Sequence, residues 1–100
     1  IDVQRNPGNY LASAAQLDAR GNLVAVIENR APVPLSDVAL AAVLLDANGA
    51  IARQGPTVRV GRTLQPGERV GLDAGVGAVA PELVNRVRFR IDGARAVQAR

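Results

Sequence analysis

The side chains in this chain that could do chemistry are almost all carboxylates and hydroxyls. The sequence contains no His, Cys or Lys, so the usual general base, thiol nucleophile and Schiff-base amine are absent. Carboxylates can catalyse in pairs, as in glycoside hydrolysis, but here the nine acids are scattered singly. The hydroxyl groups belong to Tyr10, Ser13, Ser36, Thr57 and Thr63. These residues predict no catalytic site, and we expect that the chain is not an enzyme by itself.

One segment begins like a calcium-binding loop. In residues 46–49 the third oxygen ligand expected before the Gly is misplaced, and position twelve counted from Asp46 is Thr57, where a bidentate Glu is required. Asn48 and Gly49 both accept positive φ, which suits a tight hairpin turn. We therefore interpret the segment as a turn, and we predict neither a metal site nor a cofactor.

Positive charge is concentrated towards the end of the chain. Residues 1–80 carry seven Arg and seven acids, whereas residues 81–100 carry five Arg and two acids, which gives the net charge of +3. Arg86, Arg88 and Arg90 alternate with apolar residues, so on a strand they would share one face. Such a row could bind phosphate or an acidic partner, or it could protect a strand edge from pairing with other chains. No aromatic platform accompanies it, so we expect no nucleic-acid partner.

A second candidate surface is apolar. If residues facing the core alternate with residues facing outward, the outward set on two central strands includes Val24, Val26, Val43 and Leu45. An exposed apolar face of this kind usually contacts another protein surface. We predict docking against another domain of the parent protein or against a second copy of the chain. Small residues on a strand can also stand without a partner, and the sequence leaves both interpretations open.

Turn signals divide the chain into short extended segments. Pro66 and Gly67 suit the central positions of a type II turn, and residues 46–49 suit a hairpin. Alternating and β-branched residues between the turns predict seven strands. The predicted strands are residues 10–18, 23–28, 38–45, 50–54, 57–61, 69–73 and 85–92. Residues 81–84 predict one helical turn that begins with Pro.

Residues 38–45 are the ambiguous segment. Ser36 and Asp37 could cap a helix, and the Ala, Leu and Val residues that follow would pack in either state. Eight residues between a Pro-rich loop and an Asx-Gly turn favour a strand. The chain then reads as an all-β, two-sheet antiparallel sandwich of about seven strands. We predict a linker or tether over residues 1–9, one domain over residues 10–100 and no membrane span in this chain.

Several of these segments, in this order, resemble the FxLYD-type bacterial immunoglobulin-like domains. The resemblance covers roughly residues 22–74, with Ala42 and Leu45 standing where the family has its Phe and Tyr. It rests on the sequences at 23–29, 35, 37–38, 44–46, 48–49 and 64–68. The resemblance implies an immunoglobulin-like sandwich in a periplasmic or otherwise extracytoplasmic bacterial protein, with no catalytic residue.

We therefore expect a non-catalytic β-sandwich accessory module of a larger bacterial envelope or secreted protein, mediating domain packing or protein–protein interaction. One alternative is a module that binds anions or acidic partners through the face carrying Arg86, Arg88 and Arg90. Another is an accessory domain appended to an enzyme such as a peptidase.

Overall fold

Six strands form two antiparallel three-stranded sheets in the computed structural model, which describes residues 7–97. The strands are β1 (Leu11–Leu17), β2 (Asn22–Asn29), β3 (Leu35–Leu45), β4 (Ile51–Arg59), β5 (Arg69–Ala78) and β6 (Val87–Ala96). One sheet has the order β1-β2-β5 and the other has the order β4-β3-β6. The predicted all-β, two-sheet antiparallel sandwich is confirmed.

The core lies between the two sheets and follows the two-residue alternation of a strand. On β2, Leu23, Ala25 and Ile27 are fully buried, whereas the residues between them are half-buried. Ala25 and Ile27 pack in one apolar cluster with Val38 and Leu40 of the opposite sheet. Segment 38–45 is therefore a buried strand, and the capped helix weighed for it does not form.

Both predicted turns are present with the expected chemistry. The Glu68 N–H donates to the Gln65 carbonyl at 2.9 Å across Pro66 and Gly67, and Gly67 has a φ of 80°. In the β3–β4 hairpin the Asp46 carboxylate accepts main-chain N–H groups at 2.8 and 3.0 Å. The side chain that suggested a calcium ligand thus holds the turn together.

Several element boundaries differ from the sequence prediction, and strand β5 extends five residues beyond the predicted segment 69–73. The predicted strands 50–54 and 57–61 are one strand, β4, which continues through Gly55 and Pro56 because an edge strand tolerates proline. Strand β3 begins at Leu35, and a bulge at Asp37, with a φ of 53°, interrupts its pairing with β6. The helical turn runs through Pro81–Arg86, so the last strand starts at Val87.

The predicted tether at residues 1–9 is described only in part. Pro7–Asn9 form a 3-10 turn that lies beside β6. Residues 1–6 fall outside the described range.

Asn29 is the one polar residue among the fully buried side chains of the described range. Its amide nitrogen donates to the carbonyl oxygens of Val33 at 3.0 Å and Leu64 at 2.9 Å, and its amide oxygen accepts the Ala31 N–H at 2.7 Å. These bonds join the end of β2 to two of the three connections between the sheets, residues 30–34 and 60–68. The buried amide is therefore satisfied only when both connections are in place.

Replacing Asn29 with Ala should lower the free energy of unfolding by about 3 kcal/mol. The Val33 carbonyl and the buried Ala31 N–H lose their side-chain partner, and the Leu64 carbonyl keeps only the N–H of Leu35. Urea unfolding followed by circular dichroism measures this as a lower midpoint at an unchanged m value. The matched control is Asn85→Ala at an exposed position, which should change stability by less than about 0.5 kcal/mol. Equal midpoints for the two variants would contradict the role assigned to Asn29.

Candidate interaction surfaces

The outer face of the β4-β3-β6 sheet is covered by its own polar side chains. Its central strand turns Ala39, Ala41 and Val43 outward, yet these residues are only 4%, 0% and 9% exposed. The register places Thr57 and Arg90 on either side of Ala41, and Gln54 and Arg88 on either side of Val43. Long side chains of the flanking strands therefore lie over the small residues between them.

Three of these polar side chains, Thr57, Gln54 and Arg90, form one network with Asp92. The Arg90 guanidinium donates to the Asp92 carboxylate at 2.6 Å and to the Gln54 amide oxygen at 3.0 Å. The Thr57 hydroxyl donates to the other Asp92 oxygen at 2.9 Å. The bond from Arg90, with the bond from Thr57 next, holds the pKa of Asp92 below its ordinary value. The network links β4 to β6 across the outside of β3.

The predicted Arg row is shorter than the sequence suggested. Arg86 is the last residue of the 3-10 helix, because that helix continues two residues past the predicted turn, so only Arg88 and Arg90 lie on β6. Arg88 donates to the main-chain carbonyls of Asn85 and Val87, both at 2.9 Å. Two of the three guanidinium groups are thus engaged by the protein itself. Anion binding by this face stays a prediction.

The outer face of the β1-β2-β5 sheet is built differently. Val24 and Val26 of β2 point outward and are half-buried. The register places Ala14 on one side of Val26 and Gly71 on the other. A Cβ on Gly71 would lie 3.4 Å from the Val24 side chain, so the missing side chain leaves this valine reachable. Small neighbours thus expose Val26 at the centre of this face, whereas Val24 lies between Gln16 and Asp73.

Charged residues border the apolar centre at one end. Arg69 donates to Glu28 at 3.0 Å, and Arg30 lies 3.4 Å from the other oxygen of the same carboxylate. The Arg69 bond is the main cause of a pKa of Glu28 below its ordinary value. Glu28, Arg30 and Arg69 form a charged group that we call the Glu28 cluster. Val26 and this cluster line a shallow depression of about 210 Å³ that reaches Ser13 on β1. The face therefore combines an apolar floor with a polar rim, as many protein interfaces do.

The apolar residues predicted to form one docking face lie in two places. Val24 and Val26 point outward from one sheet, and Val43 points outward from the other, on the opposite side of the sandwich. Alternation predicts that a residue points out of its own sheet, but it does not predict which sheet that is. The sequence pattern therefore could not separate Val24 and Val26 from Val43. Leu45 is half-buried and pairs with Ile51 at the end of the β3–β4 hairpin, where Ile51 is 57% exposed.

Comparisons with protein-family models, curated proteins and solved structures find no match to this chain. The resemblance to FxLYD-type domains therefore stays a prediction. Over residues 7–97 no helix is long and apolar enough to span a membrane. In the same range no three acidic residues come together in an arrangement that could hold a metal ion.

Acidification should destabilise the native chain more than an Asp92→Asn variant. A carboxyl whose pKa is lower in the folded than in the unfolded state contributes stability above the unfolded pKa, and this stability is lost as the pH falls through the folded value. The free energies of unfolding at about pH 7 and about pH 3 should therefore differ less in the variant. Urea unfolding at both pH values measures the difference.

The control for this measurement is Glu82→Gln, which alters an exposed carboxylate outside the network. It should keep the pH dependence of the native chain. If Asp92→Asn also keeps it, the Arg90–Asp92–Thr57 network contributes nothing to stability.

Proposed function

We propose that the chain is a non-catalytic β-sandwich module of a larger protein and that it acts by packing the outer face of its β1-β2-β5 sheet against another domain. The observation that carries this proposal is the contrast between the two outer faces. On one face the central residues Ala41 and Val43 lie under the protein's own polar side chains. On the other face Val26 has only the small residues Ala14 and Gly71 beside it. Val24 on the same face lies between Gln16 and Asp73 and is half-buried.

The free energy of burying apolar surface favours a partner on the outer face of the β1-β2-β5 sheet, which we call the open face. Covering apolar surface contributes roughly 25 cal/mol per Å². Val26 and Ala14 offer such surface with no large side chain directly opposite Val26 in the register. The Glu28 cluster at the rim can fix the orientation of a partner through charged hydrogen bonds. An apolar floor with one polar end suits a protein surface of matching shape more than a small ligand, because the depression is open and shallow.

The wider setting of the module follows from the resemblance in the sequence. We infer a bacterial envelope or secreted protein as the parent, with the module in the periplasm or otherwise outside the cytoplasm. A parent that is an enzyme, such as a peptidase, is compatible with this role, because the module would then position the catalytic domain. In either case the partner surface belongs to a neighbouring domain.

A single thiol on the open face should become protected in the parent protein. The 100-residue chain has no cysteine, so Val26→Cys is its single thiol, and its reaction rate reports exposure. In the parent protein, peptide mapping of the labelled product measures the rate at this position. We expect the Val26→Cys thiol to react about tenfold more slowly in the protein encoded by the complete open reading frame than in the isolated 100-residue chain.

The matched control is Arg59→Cys, at an exposed position on the outer face of the other sheet. Its reaction rate should be the same in both proteins. Equal rates for Val26→Cys in both proteins would refute docking through this face. Equal slowing of both thiols would also contradict the proposal, because the protection would not be confined to the outer face of the β1-β2-β5 sheet.

A further inference from the structure

The free edge of β1 differs from the other three sheet edges in the described range. Strand β4 contains Pro56, strand β5 has two glycines with positive φ, and strand β6 carries Arg88, Arg90 and a register shift in its pairing with β3. Proline, backbone irregularity and positive charge each discourage pairing with another chain. Strand β1, with the sequence LASAAQL, contains none of them.

The main-chain groups of β1 that face away from β2 can be assigned from the register. The Arg30 N–H donates to the Tyr10 carbonyl at 2.8 Å, and the Asp18 N–H donates to the Asn22 carbonyl at 3.0 Å. Both bonds fit the unbroken seven-residue pairing of β1 with β2. Hydrogen-bonded pairs alternate in an antiparallel ladder, so the even-numbered residues of β1 bond to β2. The N–H and C=O groups of Leu11, Ser13, Ala15 and Leu17 therefore point to the free edge.

We propose that the β1 edge pairs with β1 of a second copy of this chain, antiparallel about a two-fold axis at Ala14. This register uses all seven residues of β1 and sets the outward main-chain groups of one copy against those of the other. Leu11 then lies opposite Leu17 of the second copy, and Ser13 lies opposite Ala15. The pairing makes about eight main-chain hydrogen bonds. It joins the two β1-β2-β5 sheets into one continuous sheet of six strands.

Accessibility and residue chemistry both support a second copy as the occupant. Ser13 and Ala14 in the middle of β1 are exposed, so the centre of the edge can be reached. The self-pairing sets no charged residue opposite another, because β1 has none, and it leaves the Glu28 cluster on the outer face of the sheet. A two-fold contact also closes on itself, so it ends at a dimer and does not extend into a filament.

The length of the strand sets the strength of the dimer. Seven paired residues on each side bury less than the roughly 1,200 Å² of a stable interface, so we expect a weak, reversible dimer. The basic strand β6 lies next to β1 in the opposite sheet. Pairing brings two such strands closer together, so added salt should not weaken the dimer, whereas it would weaken an association held by the Arg face.

Sedimentation velocity of the isolated chain at concentrations from about 5 μM to about 1 mM tests the proposal. The native chain should form a dimer with rising concentration, and Ser13→Ala should do the same because it keeps the edge N–H. Ser13→Pro should stay monomeric, because proline removes an N–H that faces the edge and leaves the bonds to β2 in place. The urea midpoint of each variant shows whether it is folded.

A charge exchange at the two-fold axis tests the register without proline. Ala14→Lys alone and Ala14→Glu alone should each be monomeric, because like charges would lie directly opposite each other. A mixture of the two variants should form a heterodimer. A native chain that stays monomeric throughout, a dimer that survives in Ser13→Pro, or a mixture that does not associate would each overturn the proposal.

The same experiment separates this proposal from the proposed docking face. Val26→Lys changes the outer face and leaves the β1 edge intact, so it should dimerise as the native chain does. Loss of the dimer in Val26→Lys would transfer the self-association to the face and overturn the edge pairing. The thiol protection expected in the parent protein does not depend on either result.

Discussion

The sandwich depends on one buried amide. The chain passes between the sheets three times, and Asn29 is bonded to two of these passages, the one after β2 and the one before β5. It is bonded to them through the carbonyls of Val33 and Leu64. Its own main-chain groups bond to Gly67 and Glu68 in the turn that leads into β5. Leu35 and Leu64 exchange two further main-chain bonds beside it, at 2.9 and 2.8 Å. The first of these passages takes the chain to the sheet of β3 and the second returns it to the sheet of β5, so the bonds of Asn29 hold β3 and β5 in different sheets.

The two outer faces then differ because of the residues on their flanking strands. Both central strands place small apolar side chains outward, at Val24 and Val26 in one sheet and at Ala41 and Val43 in the other. Arg90 can lie across Ala41 because Asp92 and Gln54 hold its guanidinium from both sides. No comparable long side chain flanks Val26, whose neighbours in the register are Ala14 and Gly71. Whether an outward residue of a central strand is covered therefore depends on the side chains of both flanking strands.

The difference between contacts near in sequence and contacts distant in sequence explains which features could be predicted from the sequence. Turns and alternating strands depend on neighbours in the chain, so Pro66-Gly67 and the apolar alternation of β2 were sufficient to predict them. The continuity of β4 through Pro56 depends on its position at a sheet edge, which no local pattern records. The separation of Val24 from Val43 and the bonds of Asn29 depend on contacts distant in sequence. A lone Asn at the end of a strand gave no signal that it would be buried.

Edges impose a second constraint on a sandwich this small. With three strands in each sheet, four of the six described strands are edges, so most of the sequence that builds the fold must also prevent unwanted pairing. On the side where β4 meets β5, Gly55 approaches so closely that a Cβ would lie 2.6 Å from Val76, and the packed sheets shield each other. On the side where β1 meets β6, the basic residues belong to β6 alone. Positive charge therefore discourages pairing with another chain at the β6 edge. At the β1 edge no charged residue opposes pairing, and the free main-chain groups determine whether it occurs.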